Sequence, residues 1–310
     1  MALTHNDTST GKAFLDSGQY SRESILKYEQ VYGRTFVSPG GKGCAIELIE
    51  KLDLKPGSRV LDVGCGIGGS AFLMKQKFNL EVDAIDLSDN MLEMAAMRLA
   101  EAGLAGQVSL ANQNCLEIET KDAYDGIYSR DVFLHIKDKE QLFAKLFRAL
   151  KPSGKLLFTD YCCAEGPFSE DFKQYISQRN YHLCSVSEYQ TLIEEAGFEG
   201  VEAEDVTKQF IDFSEAELKT IQTLDIDQNV REELTKDWQR KIDRARSGAQ
   251  RWGRFVGIKP VDHRFEAFEK SLIVGPQLHH IKDAESARLE PVIDRFHGVI
   301  RLVGLDQRDS

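Results

Sequence analysis

Strand-length apolar runs alternate with amphipathic helical stretches between residues 57 and 161 of this 310-residue chain. The strand-like runs are GSRVLDVG, EVDAIDLS, QVSLAN, YDGIYSRD and GKLLFTDY, and the helical stretches include NMLEMAAMRLAEAG and KEQLFAKLFRALKPSG. Parallel strands need crossover helices of this kind, which cover both faces of the sheet. The pattern therefore predicts an α/β fold with a Rossmann-like, doubly wound and mostly parallel sheet.

The turn VLDVGCGIGGS, residues 60–70, contains G-x-G-x-x-G through Gly64, Gly66 and Gly69. Glycines at these places let a strand reverse sharply into a helix and let a ligand approach the bare backbone. NAD and S-adenosylmethionine both suit a turn of this kind. The glycines alone therefore leave the choice between these two ligands open.

Two acids near the turn favour S-adenosylmethionine. Asp62 precedes Gly64 by two residues, where it would repel a pyrophosphate but attract the sulfonium and ammonium groups of S-adenosylmethionine. Asp86 follows about 20 residues later, where the ribose hydroxyls of either ligand are bound. We therefore expect a S-adenosylmethionine site that includes Asp62, Gly64, Gly66 and Asp86. The D/N-P-P-Y/F motif of DNA amino-methyltransferases is replaced by YSRDVFLH, which disfavours chemistry on a flipped base.

The charge balance points to a small-molecule partner. A formal net charge of −11 argues against nucleic-acid binding, which depends on a surplus of Lys and Arg. No apolar run approaches the roughly 18 residues of a membrane helix, and the N-terminus lacks a signal-peptide pattern, so a cytoplasmic protein without a membrane span is expected. The six cysteines are scattered without C-x-x-C or His/Cys spacing, which predicts reduced, mostly buried thiols and no metal site.

The pattern of elements also predicts the domain organisation. Residues 1–260 are expected to form one domain, in which SEDFKQYISQRN belongs to a cap insertion at about 165–185 over the strand ends. Beyond residue 205 the strand pattern fades into polar helices carrying Trp238 and Trp252, which we expect to pack back as part of the cap. Residues 261–310 form an extension of unknown role. A monomer is slightly favoured.

At several separated motifs the sequence resembles the phosphoethanolamine N-methyltransferases of plants, nematodes and malaria parasites. The motifs lie between about residues 14 and 259 and read FLDSGQY, YEQVYGRTFVSPGG, VLDVGCGIGG, IYSRDVFLHI, DYC, YISQRNY and QRWG. The resemblance implies a class I methyltransferase fold with an N-terminal helical lid at about residues 10–45. It also implies stepwise methylation of phosphoethanolamine towards phosphocholine, with S-adenosylmethionine as methyl donor and S-adenosylhomocysteine as product.

The resemblance implies roles for individual residues. The catalytic pair falls on Tyr20 and His135. The phosphobase-binding positions fall on Gln19, Asp131, Tyr161, Tyr175, Arg179, Tyr181 and Lys241. The cofactor-binding positions fall on Ser38, Gly64, Asp86, Asn114 and Arg130. Many relatives have Asp at the position of Asn114, but an amide still offers a carbonyl acceptor to the adenine amino group.

The residue types suit this chemistry. An alkylamine is mostly protonated at neutral pH, so a group must favour the free amine, and His135, placed in a helix after the fourth strand, suits proton exchange near pH 7. Tyr20 could hydrogen-bond to it from the lid. Arg179 and Lys241 suit a phosphate, and Tyr161 a methylated ammonium. Two alternatives stay open: N-methylation of glycine, sarcosine or dimethylglycine towards betaine, and a non-catalytic S-adenosylmethionine-binding module.

Overall fold

A computed structural model describes Ala13 and residues 15–261; the predicted extension, apart from Val261, lies outside the described residues. In the described part, the strands form a single sheet in the order β3-β2-β1-β4-β5-β7-β6. The strands are β1 (Arg59–Val63), β2 (Glu81–Asp86), β3 (Val108–Asn112), β4 (Tyr124–Arg130), β5 (Leu150–Cys163), β6 (Glu199–Asp205) and β7 (Gln250–Ile258).

The helices alternate with the strands along most of the described chain. They are α1 (Arg22–Tyr32), α2 (Gly41–Leu52), α3 (Gly69–Phe78), α4 (Asp89–Glu101), α5 (Lys139–Ala149), α6 (Glu170–Arg179), α7 (Val186–Glu195), α8 (Thr207–Thr223) and α9 (Gln228–Arg246). Two single 3-10 turns, Cys115–Glu117 and Phe133–His135, follow β3 and β4. Side-chain caps mark several helix starts; for example, Ser88 accepts a hydrogen bond from the Met91 backbone at the start of α4.

The parallel part of the sheet confirms the doubly wound fold. β1 pairs in parallel with β2 and β4, β2 with β3, and β4 with β5. Chain order reverses on the two sides of β1, and in open α/β sheets the ligand crevice lies at the carboxyl ends of the strands at such a point. The glycine turn after β1 and the segment after β4 therefore open onto one crevice.

The expectation that the strand pattern ends near residue 205 is wrong. Gln250–Ile258 forms β7, which inserts antiparallel between β5 and β6, and Trp252 lies on this strand. Trp238 lies on a helix, α9, as expected. The periodicity of QRWGRFVGI is weak because Gln, Arg and Gly interrupt it. The strand is defined instead by pairing along its whole length with β5, a strand about 100 residues earlier in the chain.

Two helices, α2 and α5, end where the chain turns towards a strand, and α5 ends before the predicted stretch KEQLFAKLFRALKPSG does. α2 stops at Leu52, before Pro56-Gly57, because Asp53 adopts a left-handed conformation with φ 50°. α5 stops at Ala149, and the next residue, Leu150, already belongs to β5. In both cases the chain must turn to enter the next strand, so tertiary pairing decides where the helix ends.

Apolar side chains cover both faces of the sheet. One face packs α2 and α3 against β1 and β2, through residues such as Leu48, Met74 and Val82. The opposite face packs α5 and α7 against β4 and β5, through residues such as Phe143 and Ile193. These side chains are almost fully buried. The core therefore fixes the strand ends that carry the site.

A buried ion pair attaches α1, in the N-terminal lid, to α4. The Arg98 guanidinium donates to both carboxylate oxygens of Glu29, at 2.8 and 2.6 Å. Glu29 also accepts the Thr35 backbone N–H at 2.9 Å. Both charged side chains are 7% exposed, so neither group is compensated by water if the other is removed.

We expect Arg98→Met to lower the free energy of unfolding by about 3 kcal/mol, because the buried Glu29 carboxylate then keeps only the largely exposed Arg34 guanidinium, at 3.8 Å, as a cation. The matched control is Arg22→Met. Arg22 and Glu93 join the same two helices but are mostly exposed, so this change should cost less than about 1 kcal/mol. Urea denaturation measures both values, and equal losses in the two variants would contradict the argument.

The cysteines agree with the prediction of buried thiols. Cys44, Cys65, Cys115, Cys162 and Cys163 are buried and Cys184 is partly exposed, and all six are free. Burial raises the pKa of Cys163 to about 12 and that of Cys162 well above its ordinary value, which disfavours their reactive thiolates near neutral pH. Among the described residues, no helix is both long enough and apolar enough to cross a membrane.

Candidate active site

A cavity of about 910 Å³ lies over the carboxyl ends of β1 to β5. The N-terminal lid, α6 and α9 contribute the rest of its wall. Apart from Asp62, every residue predicted for the site lines this cavity: Gln19, Tyr20, Ser38, Gly64, Gly66, Asp86, Asn114, Arg130, Asp131, His135, Tyr161, Tyr175, Arg179, Tyr181 and Lys241. Residues from the N-terminal segment, the strand ends, α6 and α9 therefore meet at one place.

The glycine turn forms one end of the cavity. Gly64 has φ 71°, and a Cβ there would lie 2.3 Å from a Val132 methyl carbon, so a side chain is excluded. The Gly66 N–H donates to the Asp86 carboxylate at 2.8 Å, and the Ser88 N–H donates to its other oxygen at 2.9 Å. Burial raises the pKa of Asp86 to about 6. Bare backbone beside a carboxylate that can accept ribose hydroxyls fits S-adenosylmethionine.

Asp62 is placed differently from the other predicted residues. Its side chain is 2% exposed and does not line the cavity. Its Oδ2 atom has no hydrogen-bond partner among the described residues. Burial, helped by the charge of Asp86, raises the pKa of Asp62 to about 7. A direct contact between Asp62 and a cationic ligand, as the sequence suggested, is therefore unsupported by this geometry.

Asn114 and Arg130 line the cavity and also form hydrogen bonds with the surrounding backbone. The Asn114 Oδ1 atom accepts the Leu116 N–H at 3.0 Å and caps the 3-10 turn after β3. A carbonyl oxygen has two lone pairs, so a second donor can still reach it. Arg130 donates to the backbone carbonyls of Pro39 and Gly41 at 2.5 and 3.2 Å, which fixes the segment that carries Ser38.

Tyr20 and His135 are in direct contact across the cavity. The Tyr20 hydroxyl and His135 Nε2 are 2.8 Å apart. Gln19 donates its side-chain N–H to the Tyr20 oxygen at 3.2 Å, and the Tyr181 hydroxyl donates to the Gln19 carbonyl at 3.2 Å. The Tyr20 oxygen thus accepts from Gln19. The tautomer of the His135 imidazole sets which partner donates across the contact between the Tyr20 hydroxyl and Nε2.

The surroundings keep this pair neutral. Burial, together with the charges of Lys139 and Arg179, lowers the pKa of His135 to about 3, and burial raises the pKa of Tyr20 above its ordinary value. The predicted proton exchange of His135 near pH 7 is therefore disfavoured in this arrangement. The residue also lies in the 3-10 turn Phe133–His135 rather than in an α-helix, because the chain bends at once from β4 towards α5.

A buried lysine holds the turn that carries His135. Lys139, 6% exposed, donates its ammonium to the backbone carbonyl of His182 at 2.8 Å and to that of Ile136. Leu134 also accepts the His182 N–H at 2.7 Å. These contacts connect the segments that contain His135 and Tyr181, whose rings meet edge to face at a centroid distance of 5.3 Å. Both rings are thereby fixed relative to each other.

Asp131 lies at the end of β4 in a left-handed conformation with φ 57°. Its Oδ1 atom accepts hydrogen bonds from the Trp252 indole at 2.7 Å and from the Thr159 hydroxyl at 3.2 Å. Its Oδ2 atom is buried and has no partner among the described residues. Burial raises the pKa of Asp131, and Arg130 opposes that rise. Asp131 therefore lines the cavity with one of its carboxylate oxygens unpartnered among the described residues.

Cations and tyrosines line the cavity between α1, α6 and α9. The Lys241 ammonium donates to the Tyr32 hydroxyl at 2.6 Å and lies 4.2 Å from the Trp238 ring centroid. Burial lowers the pKa of Lys241 to about 8. Arg179 and Tyr28 line the same part of the cavity. This arrangement offers several donors to an anion.

Tyr175 and Arg179 both line the cavity, as their spacing on one helix face predicted. Tyr28, Tyr32 and Arg244 are among the wall residues that were not predicted from the sequence. Spacing offered a signal for each: Tyr32 follows Tyr28 by four residues, and Arg244 follows Lys241 by three. The Arg244 guanidinium lies 3.8 Å from the Tyr175 ring centroid.

Comparisons with known proteins agree with the geometry. Residues 43–203 match the family described as "Methyltransferase domain". Phosphoethanolamine N-methyltransferase 1 of Arabidopsis thaliana is 42% identical over 253 residues, which are 79% of this chain and 51% of that protein. Phosphoethanolamine N-methyltransferase of Plasmodium falciparum (isolate 3D7) is 32% identical over 273 residues, 84% of this chain and 100% of that protein.

A solved structure is similar over most of the chain. It shows Haemonchus contortus phosphoethanolamine N-methyltransferase 2 in complex with phosphomonomethylethanolamine and S-adenosylhomocysteine. The similarity has a TM-score of 0.78 at 34% identity and covers 81% of this chain and 60% of that one. The chain spans about half the length of the plant relatives that it matches.

Proposed function

Since the chain belongs to the phosphoethanolamine N-methyltransferase family, we propose that it transfers methyl groups from S-adenosylmethionine to the nitrogen of phosphoethanolamine, of its mono- and dimethyl forms, or of both. The products lead towards phosphocholine. One observation carries the proposal: a single cavity joins the neutral Tyr20–His135 pair, the free oxygen of Asp131 and the Lys241 ammonium.

S-adenosylmethionine, when bound, supplies an electrophilic methyl group on a sulfonium. The residues of this chain have to present the amine lone pair to it. In the tautomer whose Nε2 carries no proton, Tyr20 donates its proton to His135, and the Tyr20 oxygen keeps a lone pair that can accept a substrate N–H. Asp131 offers Oδ2 to a second N–H. Two acceptors at fixed places orient the nitrogen, and such positioning contributes much of the acceleration of a displacement reaction.

Asp131 also opposes the charge that develops in the reaction. The nitrogen becomes positive as it forms its new bond, and a fixed carboxylate in a cavity with little water stabilises that charge. The lid contributes Gln19 and Tyr20 to the cavity wall, so its closure both completes the site and excludes water. The neutral state of His135 avoids a second positive charge next to the nitrogen.

The phosphate is assigned to the wall between α1, α6 and α9. Lys241 and Arg179 supply two positive charges there, and the hydroxyls of Tyr28 and Tyr175 supply neutral donors, whereas the Tyr181 hydroxyl donates to Gln19. A phosphate dianion uses more donors than a carboxylate does. This donor set therefore favours a phosphobase over glycine, sarcosine or dimethylglycine, and the intact Tyr20–His135 contact disfavours a non-catalytic module.

Mass spectrometry of the purified chain, incubated with S-adenosylmethionine and one amine at a time, tests the proposal. The amines are phosphoethanolamine, its mono- and dimethyl forms, glycine, sarcosine and dimethylglycine. Methylated phosphobases are the expected products, and the accepted substrates define which steps occur. Products from the amino acids alone, or binding of S-adenosylmethionine without any product, would contradict it. A monomeric state and a cytoplasmic location stay predictions from the sequence.

The pH dependence of substrate binding follows from Lys241. A lysine carries its charge below its pKa, which burial lowers to about 8 here, whereas a phosphate monoester becomes dianionic above about pH 6. The KM for the phosphobase should therefore be lowest between about pH 6 and 8 and should rise above pH 8. The rise should be absent in Lys241→Met. Steady-state kinetics across pH 6 to 9.5 measures it.

The charged groups that act on this lysine come from four elements. The pKa of Lys241 is raised by the carboxylates of Glu217 and Asp131 and lowered by Arg244 and Arg179. The Glu217 carboxylate also accepts the Trp238 indole N–H at 2.8 Å, so its position beside the lysine is fixed. A KM rise that persists in Lys241→Met would assign the titration to another group.

A further inference from the structure

The donors that surround the Asp131 carboxylate are distributed unevenly. The Trp252 indole and the Thr159 hydroxyl both donate to Oδ1, at 2.7 and 3.2 Å. Among the described residues, Oδ2 receives no hydrogen bond, although its atom is buried. One oxygen is therefore saturated by the protein, and the other is left for a ligand.

The backbone of Asp131 is held as firmly as its side chain. Its N–H donates to the Thr159 carbonyl at 2.8 Å, and its φ of 57° lies in the left-handed region that favours glycine. Thr159 thus contacts Asp131 through both its carbonyl and its hydroxyl. A non-glycine residue in this conformation requires surroundings that fix it, and such residues concentrate at functional sites.

Trp252 is itself fixed on several sides. It lies on β7, opposite Tyr161 of β5, and is 1% exposed. Its backbone N–H donates to the Thr207 hydroxyl at 3.0 Å, and its carbonyl accepts the Val206 N–H at 2.8 Å. Its ring packs against Phe210 and Phe213, with centroids 5.9 and 6.3 Å away. The indole N–H therefore has little freedom to follow a rotating carboxylate.

We propose that Trp252 and Thr159 are positioning residues that hold Asp131 by Oδ1, so that Oδ2 accepts an N–H of the substrate and the site prefers less methylated phosphobases. This inference rests on the proposed function. The number of N–H groups makes the preference specific. Protonated phosphoethanolamine has three N–H groups on its nitrogen. Each methylation removes one N–H group, and phosphocholine has none. When Oδ2 faces the substrate nitrogen, the Asp131 carboxylate accepts a charge-assisted hydrogen bond from phosphoethanolamine. With phosphocholine it has only a charge interaction.

The test is calorimetry of the chain saturated with S-adenosylhomocysteine, titrated with phosphoethanolamine and with phosphocholine. The ratio of the two dissociation constants isolates the N–H contribution and needs no turnover. Wild type should bind phosphoethanolamine more tightly. In Trp252→Phe the ratio should fall roughly tenfold, the size of one charge-assisted hydrogen bond. Thr159→Val, which keeps the side-chain shape, should shift the ratio in the same direction.

Trp238→Phe is the matched control. It also removes an indole N–H that donates to a carboxylate, that of Glu217, but this carboxylate lies next to Lys241 rather than at the amine. It should weaken both ligands by the same factor and leave the ratio unchanged. For substrates that turn over, Trp252→Phe should lower kcat/KM most for the amine with most N–H groups.

The outcomes separate the inference from the proposed function. Wild type that binds neither phosphobase overturns the proposed function. Wild type that binds both, with Trp252→Phe and Thr159→Val leaving the ratio unchanged, overturns the inference alone, because a merely structural role of Trp252 would weaken the two ligands equally. If Trp252→Phe fails to fold, Thr159→Val alone decides.

Discussion

Tyr20→Phe is expected to lower kcat roughly 100-fold or more, within the range for loss of a group that handles a substrate proton. The change removes the hydroxyl that reaches His135 and accepts from Gln19. The substrate nitrogen then loses an acceptor, and Nε2 of His135 is left buried without its donor. The phenyl ring, which packs near Ile67 and Met91, is retained.

Affinity for S-adenosylhomocysteine should therefore change little in Tyr20→Phe, and calorimetry beside steady-state kinetics checks both expectations. The matched control is Tyr124→Phe, because Tyr124 begins β4 at the other end of the strand and does not line the cavity. Adding His135→Ala to Tyr20→Phe should cost little more than either change alone, since paired residues act as a unit. If the two substitutions lowered kcat independently, so that their fold-losses multiplied, the joint action of Tyr20 and His135 would be contradicted. An unchanged kcat in Tyr20→Phe would contradict it as well.

Lys241→Met is expected to raise the KM for the phosphobase about 10- to 100-fold and to leave kcat nearly unchanged. The lost contact is a hydrogen bond between charged groups, worth about 1.5 to 3 kcal/mol. Methionine keeps a flexible stem against the Trp238, Tyr32 and Phe210 rings that now surround the ammonium. The effect should therefore report the charge rather than a collapsed wall.

Lys236→Met is the matched control for Lys241→Met. Lys236 lies on the same helix, α9, but is exposed and does not line the cavity, so its kinetics should equal those of wild type. A loss confined to kcat in Lys241→Met would place the lysine at the reacting nitrogen instead of the phosphate. Steady-state kinetics with phosphoethanolamine, or with the first phosphobase accepted, distinguishes the two.

The Tyr20–His135 pair shows how far the sequence reached. The resemblance to phosphoethanolamine N-methyltransferases assigned both residues, which are 115 positions apart, and the structure brings them to 2.8 Å. The protonation states of Tyr20 and His135 could not be predicted from the sequence. A histidine alone suggests exchange near pH 7, but desolvation depends on everything packed around the ring, and burial lowers the pKa of His135 to about 3.

Asp62 and Trp252 illustrate the opposite limit. Spacing placed Asp62 beside the glycine turn, yet only the packing of β1 between β2 and β4 decides that its carboxylate is buried and does not line the cavity. Trp252 was expected on a cap helix, but β7 brings its indole to Asp131, 121 residues away. The insertion of a strand between two strands that are distant in the chain produces no hydrophobic periodicity within a short stretch of sequence.

The sequence by itself determined the α/β class, the stretches that form β1 to β5 and the glycine turn, because these depend on local periodicity and on backbone conformations that only glycine adopts freely. It also identified fifteen of the residues that line the cavity, through motifs shared with the phosphoethanolamine N-methyltransferases and the helical spacing of Tyr175 and Arg179. Only the tertiary structure decided which oxygen of Asp131 is free, that His135 is neutral and where Asp62 lies. Hydrogen-bond partners and desolvation arise from groups distant in the chain, and local sequence does not encode their distances.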